Sequence, residues 1–142
     1  MPTLKLYFAA PLFTSAERDW NAAIAAGLRA GGHEVFVPQE QEPGDAPGIF
    51  AGDVAGIDWA DALVAVMDST DPDSGTSWEV GYAYGKKPNV QIRTDIRALR
   101  AYEGGYNAML TQSATIRLDL PAASAAEVVS AVLEALERIQ TR

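Results

Sequence analysis

Apolar residues fall into short runs separated by helix-spaced patterns, and the alternation repeats from end to end. "LKLYFAA" (4–10) is nearly continuous, the pattern of a buried strand. In "TSAERDWNAAIAAGLRAGG" (14–32), Trp20, Ala23, Ile24 and Leu28 recur at helical spacing. Thr14 with Glu17 forms a capping box at its start, and Gly31-Gly32 stops it. "EVFVP" (34–38) predicts a second strand, and the polar, Pro/Gly-rich stretch 39–48 reads as a loop. A helix over 49–62 and a Val-rich strand "LVAVMD" (63–68) follow. After an acidic turn, a helix is expected from about Thr76 to Gly85, then a strand "NVQIR" (89–93). Residues 95–112 predict a helix and a loop, and "TIRLDL" (115–120) a fifth strand. Ser124 and Glu127 open a last amphipathic helix, with Val128, Val132, Leu133 and Leu136 on one face.

Strands alternating with helices imply a parallel sheet covered on both faces. The expected fold is α/β: a single flavodoxin-like, doubly wound domain with a five-stranded parallel sheet and right-handed crossovers. Ligands of such sheets bind beyond the carboxyl ends of the strands. That rule selects the loops 9–14, 39–48 and 69–76.

The 142 residues suit one domain, and neither a repeat nor a linker interrupts them. A net charge of −8 argues against a nucleic-acid surface, which needs clustered Lys and Arg, and reads as solubility. The absence of cysteine excludes disulfides, thiolate nucleophiles and cysteine-ligated zinc. No apolar run reaches the roughly 18 residues of a membrane helix, and "MPTLKLYFAA" lacks a signal-peptide pattern. A cytoplasmic protein without a membrane partner is therefore expected. His33, the lone histidine, reads as an exposed turn residue.

Candidate chemistry lies in "DPDSGTSWEVGYAYGKKP" (71–88). If the helix begins near Thr76, Glu79 falls in its first turn, where the macrodipole favours an ionised carboxylate. It then either caps the helix or acts as a nucleophile. Asp53 shares a stripe with Ile57 and Ala60, and an acid on an inward stripe needs a reason. Asp61 reads as a turn residue and Asp58 as solvated surface. Two carboxylates in one crevice suggest glycosyl transfer. Asp71 and Asp73 either bind sugar hydroxyls or solvate the turn. Tyr7 and Phe13 flank the first loop, suited either to core packing or to a planar base. The first loop, "AAPLFTSAE", has neither GxGxxG nor GxxxxGK[ST].

Taken together, "LYFAAPLFTSAE", "GDVAGIDWADALVAVMD", "DSGTSWEVGYAYGKKP" and "GGYNAML" resemble the nucleoside 2-deoxyribosyltransferase family over roughly residues 4–110. The resemblance implies a flavodoxin-like enzyme that cleaves the N-glycosidic bond of 2'-deoxynucleosides and passes the deoxyribosyl group to another base or to water. It implies Glu79 as nucleophile and Asp53 as the acid exchanging a proton with the base. Asp73 would position the nucleophile and sugar hydroxyls, and Tyr7 would orient the nucleophile. Phe13 corresponds to a pocket aromatic, Gly75 to a substrate-contacting position, and either Gln39 or Gln41 to a base-contacting glutamine. Asn107 and Met109 resemble residues that reach a neighbouring subunit's site, which implies a homo-oligomer (dimer, tetramer or hexamer) with shared sites. The implied partners are deoxynucleosides and free nucleobases, with no cofactor. Related N-hydrolases of deoxynucleoside 5'-monophosphates carry a serine where Asp73 stands, so free nucleosides are favoured here.

Overall fold

The computed structural model describes residues 2–99 and 105–140. Five strands, β1 (Lys5–Ala9), β2 (Glu34–Phe36), β3 (Ala62–Val66), β4 (Asn89–Arg93) and β5 (Ile116–Asp119), form one sheet in the order β2-β1-β3-β4-β5. Every neighbouring pair is parallel. This is the flavodoxin-like order, and its direction of winding reverses between β1 and β3. A crevice therefore opens beyond their carboxyl ends.

Successive residues of a strand point to opposite faces, and this splits the core in two. Leu6 and Phe8 of β1 with Val64 and Val66 of β3 face α1 (Ser15–Ala30) and α5 (Ala125–Gln140). Tyr7 and Ala9 with Leu63 and Ala65 face α2 (Ala46–Trp59) and α3 (Ser74–Ala83). Helices α1 and α5 pack closely: a Cβ on Gly27 would stand 2.6 Å from Val129. Full burial of a side chain such as Leu28 contributes about 1.5–3 kcal/mol.

The caps follow the sequence closely in α1. Thr14 and Glu17 form the expected box, and Gly31 and Gly32 end the helix, Gly32 at φ 100°. Elsewhere boundaries move, and β2, α2 and β3 end two or three residues early, at Phe36, Trp59 and Val66. The stretch read as a loop at 39–48 holds a 3-10 turn at Pro38–Glu40, and α2 already begins at Ala46, capped by Asp45. Helix α3 begins at Ser74 rather than Thr76, because Asp73 caps it through Thr76 N at 3.0 Å. Within 95–112, the described residues form a 3-10 turn at Ile96–Leu99 and a one-turn helix, α4 (Ala108–Thr111); 100–104, including the first glycine of "GGYNAML", lie outside the described residues.

His33 is buried rather than exposed. Its Nδ1 accepts from Leu4 N at 3.1 Å, and burial lowers its pKa. It thus ties the start of β1 to the turn before β2, at the end of the sheet opposite the crevice. No helix among the described residues is long and apolar enough to cross a membrane.

Candidate active site

The loop after β1 is fixed from below by the first turns of α1. Glu17 Oε1 accepts from Phe13 N at 3.0 Å and Thr14 N at 2.9 Å. Arg18 donates to Leu12 O and Asn21 to Pro11 O. Phe13 stands on this loop, three-quarters exposed.

A cavity of about 530 Å³ opens between that loop, α2 and the start of α3. Asp53, Asp73, Gly75 and Glu79 lie on its wall with Phe13. Leu12, Pro38, Ile49, Phe50, Val54 and Trp78 make most of the remaining surface apolar. Five predicted site residues thus meet in one place. Among the described residues, no Lys or Arg lines the cavity.

Tyr7 lies beneath it. The ring is fully buried in β1 and stacks on Phe36, centroids 5.3 Å apart. Its hydroxyl donates a hydrogen bond to Glu79 Oε2. Burial, reinforced by the neighbouring Glu79 charge, holds the Tyr7 pKa well above its ordinary value, so the phenol stays a neutral donor. None of the hydrogen bonds among the described residues uses Glu79 Oε1.

Because α3 starts at Ser74, Glu79 sits in its second turn and is not the cap; Asp73 is. The helix macrodipole therefore does little for Glu79, since its effect fades beyond the terminal turn. The balance runs the other way. Burial pushes the Glu79 carboxyl from 4.5 to about 7; the Tyr7 bond opposes the rise, and repulsion from Asp53 and Asp73 adds to it. Burial also raises the Asp53 pKa. As the stripe predicted, Asp53 is half-buried on the inward side of α2, a turn ahead of the buried Ile57. Both carboxyls are thus held above their ordinary range in one apolar cleft, and repulsion from Asp53 adds to the rise at Glu79.

A second cleft of about 550 Å³ adjoins the first and shares Leu12, Pro38, Ile49 and Asp53 with it. Both Gln39 and Gln41 line it. The Gln39 amide is held by the fold: it donates to Arg18 O at 2.8 Å and accepts from Asn21 at 3.0 Å. Gln41 makes one long bond, to Val37 O at 3.3 Å, and is exposed. Asp58 is exposed and accepts from Tyr82, as expected of a surface residue, and Asp61, at the bend before β3, accepts from Lys5 N at 2.8 Å.

Asn107 and Met109 are not brought to this cavity within the chain. The Asn107 side chain caps α4 by accepting from Met109 N, and Met109 is 80% exposed. The sequence reading missed the aromatic rim, where Phe50 meets Trp78 edge-on and Trp78 stacks on Tyr82, centroids 5.2 Å apart. The signal was present, since Trp78 and Tyr82 are spaced i, i+4 on α3.

The profile of a family described as nucleoside 2-deoxyribosyltransferase matches residues 6–120. The chain belongs to that family. Similar solved structures share the fold. A 2-deoxyribosyltransferase from the psychrotolerant bacterium Bacillus psychrosaccharolyticus is 27% identical, with a TM-score of 0.70 over 93% of this chain and 96% of that one. A conserved protein from Enterococcus faecalis V583 shares the fold at 24% identity and TM-score 0.77, over 94% of this chain and 99% of that one. So does a 2-deoxyribosyltransferase from Leishmania mexicana, at 22% identity and TM-score 0.68, over 93% and 97%. No curated protein sequence matches this chain. Family membership makes the chain an enzyme of the deoxyribosyltransferase and N-hydrolase type.

Proposed function

We propose that the chain is a nucleoside 2-deoxyribosyltransferase that works by retaining double displacement at Glu79. The observation that carries this reading is the arrangement Tyr7–Glu79–Asp53 in an apolar cavity: one carboxylate held by a buried phenol, with a second acid across the cleft. With Oε2 engaged by Tyr7, Oε1 attacks C1' of the sugar. The C1'–N bond breaks, its electron pair goes to the base nitrogen, and Asp53 supplies the proton. A deoxyribosyl–Glu79 ester results. An incoming base gives its proton to Asp53 and attacks C1' from the opposite face, which breaks the ester and restores the carboxylate. The transition state is oxocarbenium-like, so nearby negative charge stabilises it. Asp73 anchors sugar hydroxyls beside Gly75, and Phe13 covers the base.

Gln41 is the glutamine assigned to the base, because the Gln39 amide is already held by Arg18 and Asn21. Among the described residues, three carboxylates and no cationic side chain line the cavity, which favours uncharged nucleosides over 5'-monophosphates. Exposed Phe50, Trp78 and Met109 support an oligomer in which a second copy brings Asn107 and Met109 to this rim. Deoxyinosine or thymidine incubated with adenine, followed by chromatography, tests the reading: deoxyadenosine is expected. Free base without deoxyadenosine identifies an N-glycosidase instead, and no cleavage refutes both.

A further inference from the structure

Strand β4 is unusual for a central strand. Its side chains on the α3 side are Asn89, Gln91 and Arg93, each about 1% exposed. A buried guanidinium is costly, and the buried Nε of Arg93 has no hydrogen-bond partner among the described residues, so the contacts of its other nitrogens carry the weight. Arg93 Nη1 donates to Met67 O at 2.5 Å and to Ser69 O at 3.0 Å. Tyr106 lies against the same guanidinium, 5.3 Å from its ring centroid. Those two carbonyls open the β3–α3 loop, and Ser69 takes φ 88°, a left-handed conformation that costs a non-glycine residue energy.

The rest of this loop start is held as tightly by the residues after β4. Asp68 accepts from Thr94 N at 2.6 Å, Thr94 Oγ1 at 2.6 Å and Asp95 N at 2.9 Å. Asp95 in turn accepts from Ser69 N at 3.2 Å. Arg97 donates to Thr70 Oγ1 and pairs with Asp95, whose pKa it holds well below the usual carboxylate range. Every residue from Met67 to Thr70 is therefore gripped by Arg93–Arg97. Three residues after Thr70 comes Asp73, which caps α3 through Thr76 N and Thr76 Oγ1 and so fixes where Glu79 enters the cavity.

We propose that Arg93–Arg97 is a clamp that sets the register of the acidic turn, with Arg93 and Thr94 as positioning residues for the Glu79 centre. Neither lines the cavity. They hold a strained loop whose next residues deliver Asp73 and α3. The inference rests on the functional reading above for its kinetic consequence, but its structural consequence is measurable without any reaction. The ionisable groups facing Glu79 are Tyr7 from β1, Asp53 from α2 and Asp73 at the start of α3. If the turn loosens, Asp73 recedes and water enters, and both changes lower the Glu79 pKa.

Two charge-conserving variants test this. Thr94→Val removes one donor to Asp68 at almost constant volume; Arg93→Lys keeps the charge but shortens its reach. Thermal melts establish that each is folded, and Thr94→Val decides alone if the lysine variant is not. The Glu79 carboxyl is followed by carbon-13 NMR titration, assigned by its loss in Glu79→Gln. The clamp predicts a midpoint lowered by about half a pH unit or more. It also predicts a kcat for deoxyinosine plus adenine lowered about tenfold or more with little change in KM. Folded variants with the parental midpoint and kcat overturn it. A parent that neither transfers nor hydrolyses overturns the functional reading instead, and the titration still judges the clamp.

Discussion

Replacing Glu79 by glutamine should destroy activity and stabilise the fold, and the second effect can be worked out in advance. A carboxyl whose pKa is 4.5 when exposed and about 7 in the fold binds its proton more tightly in the native state. Native protein then carries more bound protons than unfolded protein between those values, so stability falls as pH rises through that window. At about 1.4 kcal/mol per pH unit, the cost of keeping Glu79 ionised is about 3 kcal/mol once the pH is above 7. Glutamine has the same shape and can still accept from Tyr7, but never ionises. Urea unfolding of both proteins at about pH 5.5 and about pH 8 isolates the effect. The stability of the variant relative to the parent should grow by about 2 kcal/mol between the two. A difference that does not change with pH would refute the claim that the fold holds Glu79 against its ionisation.

Three further outcomes follow from the same geometry. The bond from Tyr7 lowers the Glu79 pKa, so Tyr7→Phe should move the acidic limb of the kcat/KM profile to higher pH and slow transfer about 10- to 100-fold; an unmoved limb counts against the contact. Asp53→Asn should slow natural purine nucleosides far more than substrates whose leaving group needs no proton, and equal slowing removes the acid role. Gly56→Ala would put a Cβ 2.8 Å from the Phe36 ring that stacks on Tyr7. It should cost about 1–3 kcal/mol in unfolding experiments and reduce kcat as well, whereas unchanged stability would show that Phe36 moves freely.

The sheet was legible because its buried strands are nearly unbroken apolar runs, and the alternating helices left one fold class open. Asp53 was legible because an acid on an inward-facing stripe stands out. The start of α3 was not: Asp73 looked like a turn residue, and only its bond to Thr76 shows that the helix begins two residues early. That shift moved Glu79 out of the first turn, and burial raises its pKa where the dipole had favoured ionisation. Local pattern marked the residue, but the burial that governs its charge comes from Tyr7 and the packed helices. His33 was misjudged for a related reason: a turn-like sequence concealed a side chain whose Nδ1 accepts from a distant strand. Arg93 ended an ordinary-looking strand, and its partners lie 24 and 26 residues away.

The central claim, a covalent sugar ester on Glu79, is tested most directly by trapping it. A 2'-fluoro deoxynucleoside analogue slows breakdown of the ester by destabilising the oxocarbenium-like transition state. Peptide mass spectrometry after incubation should place the fluorinated pentose on Glu79, and an added acceptor base should release it. An adduct on another residue, or none while the protein remains active, would contradict the mechanism.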